Sequence, residues 1–157
     1  MIDLKKASRA VVIAPLDAQR LRGTIGRVLR ELEIEVVEPE ALATDISYTT
    51  VRAIDSSDFV VADVSRQNPN VMYELGFAHA LRKPTLLVLD QESKGIPSDL
   101  AGSQFLVYHS ANLSAFRDRL RDAVKQTVHK KGAKRGNDSH RGRNCRSRAE
   151  PHQHSRA

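Results

Sequence analysis

Short apolar runs alternate along the first 128 residues with longer segments in which apolar residues recur at helical spacing. The short runs have the length of single buried strands and predict five of them, at 10–14, 34–37, 59–63, 84–89 and 105–108. The longer segments predict four amphipathic helices, at 18–32, 48–57, 70–82 and 113–128. The pattern therefore alternates strand and helix almost throughout.

Alternation at this spacing predicts right-handed crossovers and a parallel sheet covered on both faces. The simplest arrangement is a single flavodoxin-like (Rossmann-like) doubly wound α/β domain over residues 1–128, with five parallel strands in the order 2-1-3-4-5. In such a sheet the ligand crevice lies outside the carboxyl ends of strands one and three, where the winding direction reverses.

The segments expected at that crevice supply the candidate functional residues. Asn68 is a good helix N-cap and Pro69 is favoured at a first helical position, so Glu74 falls in the first turns of a helix that follows a buried strand. An acidic residue there often does no more than complement the helix dipole. The residues expected to converge are Pro15, Asp17, Asp63, Ser65, Asn68, Asn70, Tyr73 and Glu74.

The net charge of +6 is concentrated at the carboxyl end of the chain. Residues 129–157 hold nine Lys or Arg against two acidic residues, a net charge of +7 that leaves −1 for residues 1–128. This segment has no Val, Ile, Leu or Phe, and we expect it to be a disordered basic tail. It is either a solvated extension or a loose, salt-dependent contact for nucleic acid or another acidic partner.

The composition gives no indication of a disulfide framework, a metal site, a membrane span or a secretory signal. The single cysteine, Cys145, cannot form an intramolecular disulfide, and the histidines lack the spacing of a metal site. No apolar run is long enough to predict a membrane span or a secretory signal. We therefore expect a cytoplasmic protein without a metal or other cofactor.

Four stretches together resemble the nucleoside 2-deoxyribosyltransferase-like group, a distant structural relative of the TIR domains. They are Ser57-Asp-Phe-Val-Val-Ala-Asp-Val-Ser65, Asn68-Pro-Asn-Val-Met-Tyr-Glu-Leu-Gly76, Ala78-His-Ala-Leu-Arg-Lys-Pro84 and Ile96-Pro-Ser-Asp-Leu100. The resemblance covers about residues 10–108.

The resemblance implies cleavage or exchange of an N-glycosidic bond in a nucleoside, a nucleotide or a dinucleotide such as NAD. Glu74 is then the nucleophile, or it stabilises the positive charge that develops on the sugar. Asp63, Asp17 or Asn68 could assist the leaving base. Related enzymes often complete a site with a neighbouring subunit, which makes a homo-oligomer possible.

One departure from the family pattern keeps alternatives open. Members that handle deoxyribosides usually carry a further acid late in the helix before strand three, where this chain has Thr49 and Thr50. A non-catalytic nucleotide sensor or TIR-like signalling module is therefore an alternative. A phosphoacceptor receiver domain shares the strand order, but it needs an acidic pair after strand one, where this chain has only Asp17, and a lysine after strand five.

Overall fold

The computed structural model of the protein describes residues 9–38, 46–96 and 98–134. Within these ranges the strands are β1 (Arg9–Ile13), β2 (Glu35–Val36), β3 (Phe59–Asp63), β4 (Thr85–Asp90) and β5 (Phe105–Tyr108). The helices are α1 (Gln19–Glu31), α2 (Ile46–Ser56), α3 (Pro69–Ala80) and α4 (Ser114–Lys134), with a short 3₁₀ turn at Ser98–Leu100.

The five strands form one sheet in the order β2-β1-β3-β4-β5, and every neighbouring pair is parallel. The predicted fold class and strand order are confirmed. In the central pair Ala10 lies opposite Phe59 and Ile13 opposite Ala62, so β1 and β3 end together at the carboxyl edge. The winding direction reverses between them, which places the ligand crevice of this fold class there.

The last helix is longer than the sequence pattern predicts. α4 continues past the predicted end at 128 to Lys134, so the first residues of the predicted tail are helical. Extending an existing helix gains one hydrogen bond for each residue added, and the Lys and Ala residues of this segment are good helix formers that offset Gly132, with cations favoured near the carboxyl end. The remainder of the predicted disordered tail, 135–157, lies outside the described residues.

Alternate side chains of each strand supply two separate hydrophobic cores. On one face Val12 and Val61 pack with the buried stripes of α1 and α4, which include Leu29 and Leu120. On the other face the strand residues pack with α2 and α3, through Val11, Ile13, Val60, Ile54 and Leu75. A sheet buried on both faces explains why its strands lack polar alternation.

Residues in the left-handed region end α1 and α3. Glu33 and Arg82 have φ of 58° and 53° and follow the helix caps Leu32 and Leu81. After α1, the amide of Glu33 donates to Arg30 O at 3.0 Å and that of Ile34 to Leu29 O at 2.9 Å. The same pair of bonds follows α3, so both ends are Schellman motifs built without glycine.

None of the described helices combines the length and apolar character needed to cross a membrane. The cytoplasmic location stays a prediction.

Candidate active site

Asn68 sets the start of α3, the helix that carries Glu74. Its side-chain oxygen accepts hydrogen bonds from the amides of Asn70 at 2.9 Å and Val71 at 3.4 Å, and Pro69 occupies the first helical position. Both features stabilise a helix start, so the loop after β3 turns into α3 at a defined residue. Glu74 lies one turn further along, beside the carboxyl edge of the sheet.

Glu74 is half-buried in a cavity of about 560 Å³ between the loop after β1, α2 and α3. Burial raises the pKa of Glu74 above its ordinary value, while the positive charge of Arg22 and a hydrogen bond from Thr50 act in the opposite direction. Arg22 is held in place by a bond from its guanidinium to the carbonyl of Ala14, at 3.1 Å. The site thus supplies a carboxylate with a nearby cation and a hydroxyl partner.

The walls of this cavity are largely apolar and partly aromatic. Tyr73 and Phe77 pack edge to face, with ring centroids 4.9 Å apart, and Pro15, Leu16 and Val51 complete the apolar wall. Aromatic and aliphatic walls with a few polar groups suit a flat organic ligand such as a nucleobase. We call this space the Glu74 cavity.

A second cavity, of about 890 Å³, opens at the carboxyl edge of the same sheet and has a polar floor. Asp63, Ser65 and Tyr108 form this floor and are all buried. The Ser65 hydroxyl donates to Asp63 Oδ1 and accepts from the amide of Asp90 at 2.7 Å. The Tyr108 hydroxyl lies 3.3 Å from Asp63 Oδ2, and burial raises the pKa of Tyr108 to about 12, so this hydroxyl stays protonated and can donate. We call this space the Asp63 cavity.

Asp17 lines both cavities and marks the boundary between them. Its carboxylate pairs with the guanidinium of Arg66, from the loop after β3. Both side chains are about two-thirds exposed, at 65% and 66%, so this ion pair contributes little to stability. It joins the two loops that flank the switch point of the sheet.

The structure divides the predicted site residues between the two cavities. Most of them line the Glu74 cavity, namely Pro15, Asp17, Asn68, Asn70, Tyr73 and Glu74. Asp63 and Ser65 line the Asp63 cavity instead, where Asp63 is 3% exposed and bonded to its own loop. The structure therefore does not bring Asp63 and Glu74 into one cavity, because Asp63 lies on the face of β3 that α1 and α4 cover and Glu74 lies on α3 at the other face. The catalytic roles of both residues stay predictions.

Sequence reasoning did not assign several residues to the roles that they have in the two cavities. It flagged Thr50 only as a missing acid, whereas the Thr50 hydroxyl is a hydrogen-bond partner of Glu74. Arg22 lies on the polar side of the first helix, close to the loop after strand one, and from sequence it indicated at most a weak phosphate contact there. Its effect on Glu74 was not predicted. Arg66 is the third residue after β3, in a loop that the switch-point rule already identifies.

Among the described residues no group of three or more His, Cys, Asp or Glu side chains is placed to hold a metal ion.

The fold and this site define an α/β protein whose ligand crevice lies at the switch point of a parallel sheet, with a glutamate in an aromatic-walled cavity. The family model for nucleoside 2-deoxyribosyltransferase matches residues 2–107, and the chain belongs to that family. The predicted family is confirmed, and with it an enzyme class that acts on the N-glycosidic bond of nucleosides. The relation to TIR domains stays a prediction.

Among solved structures, the chain is similar to the CMP N-glycosidase BcmB of Clostridium botulinum. The two share 17% sequence identity with a TM-score of 0.55, over 76% of this chain and 99% of that one. At this identity the similarity shows a shared fold. A comparison with curated proteins gives no match.

Proposed function

We propose that this protein cleaves or transfers the N-glycosidic bond of a nucleoside or nucleotide, with Glu74 acting at the anomeric carbon. One observation carries the proposal: Glu74 is a half-buried carboxylate on the wall of an aromatic-lined cavity at the switch point of the sheet. Membership of the nucleoside 2-deoxyribosyltransferase family and the fold shared with a CMP N-glycosidase support this chemistry.

In the proposed reaction the nucleobase lies against Tyr73 and Phe77, and the sugar lies beside Glu74. The bond between the anomeric carbon and the base nitrogen breaks with its electron pair going to the base, which takes up a proton from solvent. Positive charge then develops on the sugar, and the Glu74 carboxylate forms a bond to the anomeric carbon. Water or a second base then forms a bond to the anomeric carbon and loses a proton to solvent, while the bond to Glu74 breaks, so the free sugar or a new nucleoside is released.

Thr50 and Arg22 give Glu74 its reactive form in this proposal. The Thr50 hydroxyl and the Arg22 cation both stabilise the carboxylate, which must be ionised to attack. Asn68 uses its side-chain oxygen to cap α3, and this leaves its amide protons as donors towards the substrate.

A non-catalytic nucleotide sensor is a second candidate, because Thr50 stands where the resemblance implies an acid. A threonine hydroxyl does not protonate a leaving base as a carboxylic acid can. A protein of this kind would bind a nucleotide in the Glu74 cavity and release no base.

The test is release of free base, followed by chromatography, from ribonucleosides, deoxyribonucleosides, their monophosphates and NAD. We expect release by the full chain and a loss of at least roughly a hundredfold in Glu74→Gln, which keeps the shape and removes the nucleophile. Glu33→Gln is the matched control, since Glu33 is exposed at the far end of α1. Stabilisation by a nucleotide without base release would instead favour the sensor.

A further inference from the structure

We infer that the Asp63 cavity is a second subsite, which takes the diphosphate-linked, hydroxyl-rich part of a substrate whose base occupies the Glu74 cavity. This inference rests on the proposed function and names its substrate class: a nucleoside diphosphate joined to a second polyhydroxylated group, such as a nucleotide sugar or a dinucleotide.

The two cavities adjoin and differ in chemistry. Half of the residues that line the Glu74 cavity are aliphatic or aromatic, whereas most of those that line the Asp63 cavity are polar, including Ser93 and Ser110. Asp17 belongs to both linings, so the two cavities meet at this residue. One extended ligand with an apolar end and a polar end matches this arrangement.

The volumes of the two cavities also favour one extended ligand. A cavity of about 890 Å³ is larger than the Glu74 cavity of about 560 Å³, and each alone lies in the range of a small-molecule site. A nucleoside or its monophosphate in the Glu74 cavity would leave the larger space unused.

Arg66 is the group suited to the diphosphate. It lies at the boundary, and its present partner Asp17 forms only an exposed ion pair with it. A diphosphate at the exposed rim can therefore compete with Asp17 for Arg66, since two charge-assisted hydrogen bonds to the planar guanidinium oppose the repulsion by Asp17, which solvent weakens at this exposed position.

The interior of the Asp63 cavity suits uncharged hydroxyl groups better than further phosphates. Its lining holds four acids against three cations, so a polyanion placed deep inside would be repelled. Carboxylates and serine hydroxyls accept hydrogen bonds from sugar hydroxyls, and the buried floor of Asp63, Ser65 and Tyr108 holds this wall rigid.

The test measures affinity by calorimetry in the Glu74→Gln full chain, which removes turnover. The ligands form two series: adenosine, AMP, ADP and ADP-ribose, and cytidine, CMP, CDP and CDP-glucose. In at least one series we expect the last member to bind roughly tenfold or more tightly than the monophosphate, since each charge-assisted bond and each satisfied hydroxyl adds to affinity.

Two further substitutions, each added to Glu74→Gln, test whether the gain in affinity comes from Arg66 and the Asp63 cavity. Arg66→Gln removes the diphosphate partner, and Ser110→Tyr fills the Asp63 cavity from its exposed rim. Each should reduce the affinity ratio of ADP-ribose to adenosine, or of CDP-glucose to cytidine, by roughly tenfold. Arg82→Gln is the matched control, because Arg82 ends α3 at the opposite edge of the sheet.

The outcomes separate the inference from the proposed function. Equal affinity along both series, or a gain that survives Arg66→Gln and Ser110→Tyr, overturns the second subsite. Base release by the wild-type chain from nucleosides together with equal affinities overturns the subsite alone. A gain in affinity that both substitutions reduce, without base release by the wild-type chain from any compound, supports the subsite and overturns the proposed catalysis.

Discussion

Glu74 is held in surroundings with opposing effects on its charge. Burial disfavours the carboxylate, while Arg22 and Thr50 favour it, and burial has the larger effect. The helix dipole adds little, because Glu74 lies beyond the first turn of α3 and the effect fades within that turn. The protonation of this one residue therefore depends on two neighbours from other helices.

The pH profile of base release should reflect the raised pKa of Glu74. The attacking form is the carboxylate, so activity falls as pH drops through this pKa, and the fall should occur above the ordinary glutamate value of about 4.3. Arg22→Gln removes a charge that lowers the pKa, and should move the acidic limb of kcat/KM to higher pH. An acidic limb that Arg22→Gln leaves in place would show that Arg22 does not act on Glu74.

The candidate site was predictable only in part from residue types. Asn68, Pro69 and Glu74 follow a buried strand with helix-start chemistry, so local rules place them correctly. The structure places Asp63 in the other cavity, because alternation along β3 puts its side chain on the face of Phe59 and Val61, which α1 and α4 cover, whereas α3 carries Glu74 on the opposite face. Thr50 and Arg22 meet Glu74 only through packing of α2 and α1, which no short motif encodes.

At the scale of elements, the start of α3 links stability with the site. Asn68 accepts hydrogen bonds from two backbone amides that have no partner within the helix, and it also lines the Glu74 cavity. A change at this residue should therefore affect both folding and binding.

Substitution of Asn68 separates these two roles. Asn68→Ala loses the cap and should lower the free energy of unfolding by about 1 kcal/mol, measured by urea denaturation. Asn68→Asp keeps a capping oxygen but loses the amide donor, so it should retain most of the stability while base release still falls. Equal stability of the alanine and wild-type proteins would show that the cap contributes nothing.

Element types were more predictable than element ends. Each strand and α-helix found in the described ranges was expected from apolar periodicity, because a doubly covered parallel sheet imposes a distinct pattern on strands and helices. The end of α4 was not, since the helix continues through Gly132, a residue that usually signals a helix end, and extension there depends on propagation along an existing helix.

At the scale of the whole molecule, the sheet separates two cores that do not share side chains. α1 and α4 cover one face, and α2 and α3 cover the face next to the Glu74 cavity. Damage to the first core can therefore lower stability without altering that cavity directly.

Leu120→Ala tests this separation. Leu120 is fully buried in the core between α4 and the sheet, so the substitution should lower the free energy of unfolding by about 2–5 kcal/mol. The KM of the folded fraction should stay near that of the wild type. Asp122→Ala, on the exposed side of the same helix, should change stability by under about 0.5 kcal/mol. A large change of KM in Leu120→Ala would show that the two cores are coupled.

The strand order also has a consequence for how the chain folds. β1 leads the described chain yet lies inside the sheet, and its longer pairing is with β3, whose residues come about fifty positions later, as in Ala10 opposite Phe59. During synthesis on the ribosome, β1 therefore lacks its main pairing partner until β3 has emerged. Nascent chains that stop before β3 leave an apolar strand exposed, and they should be the forms most dependent on chaperones.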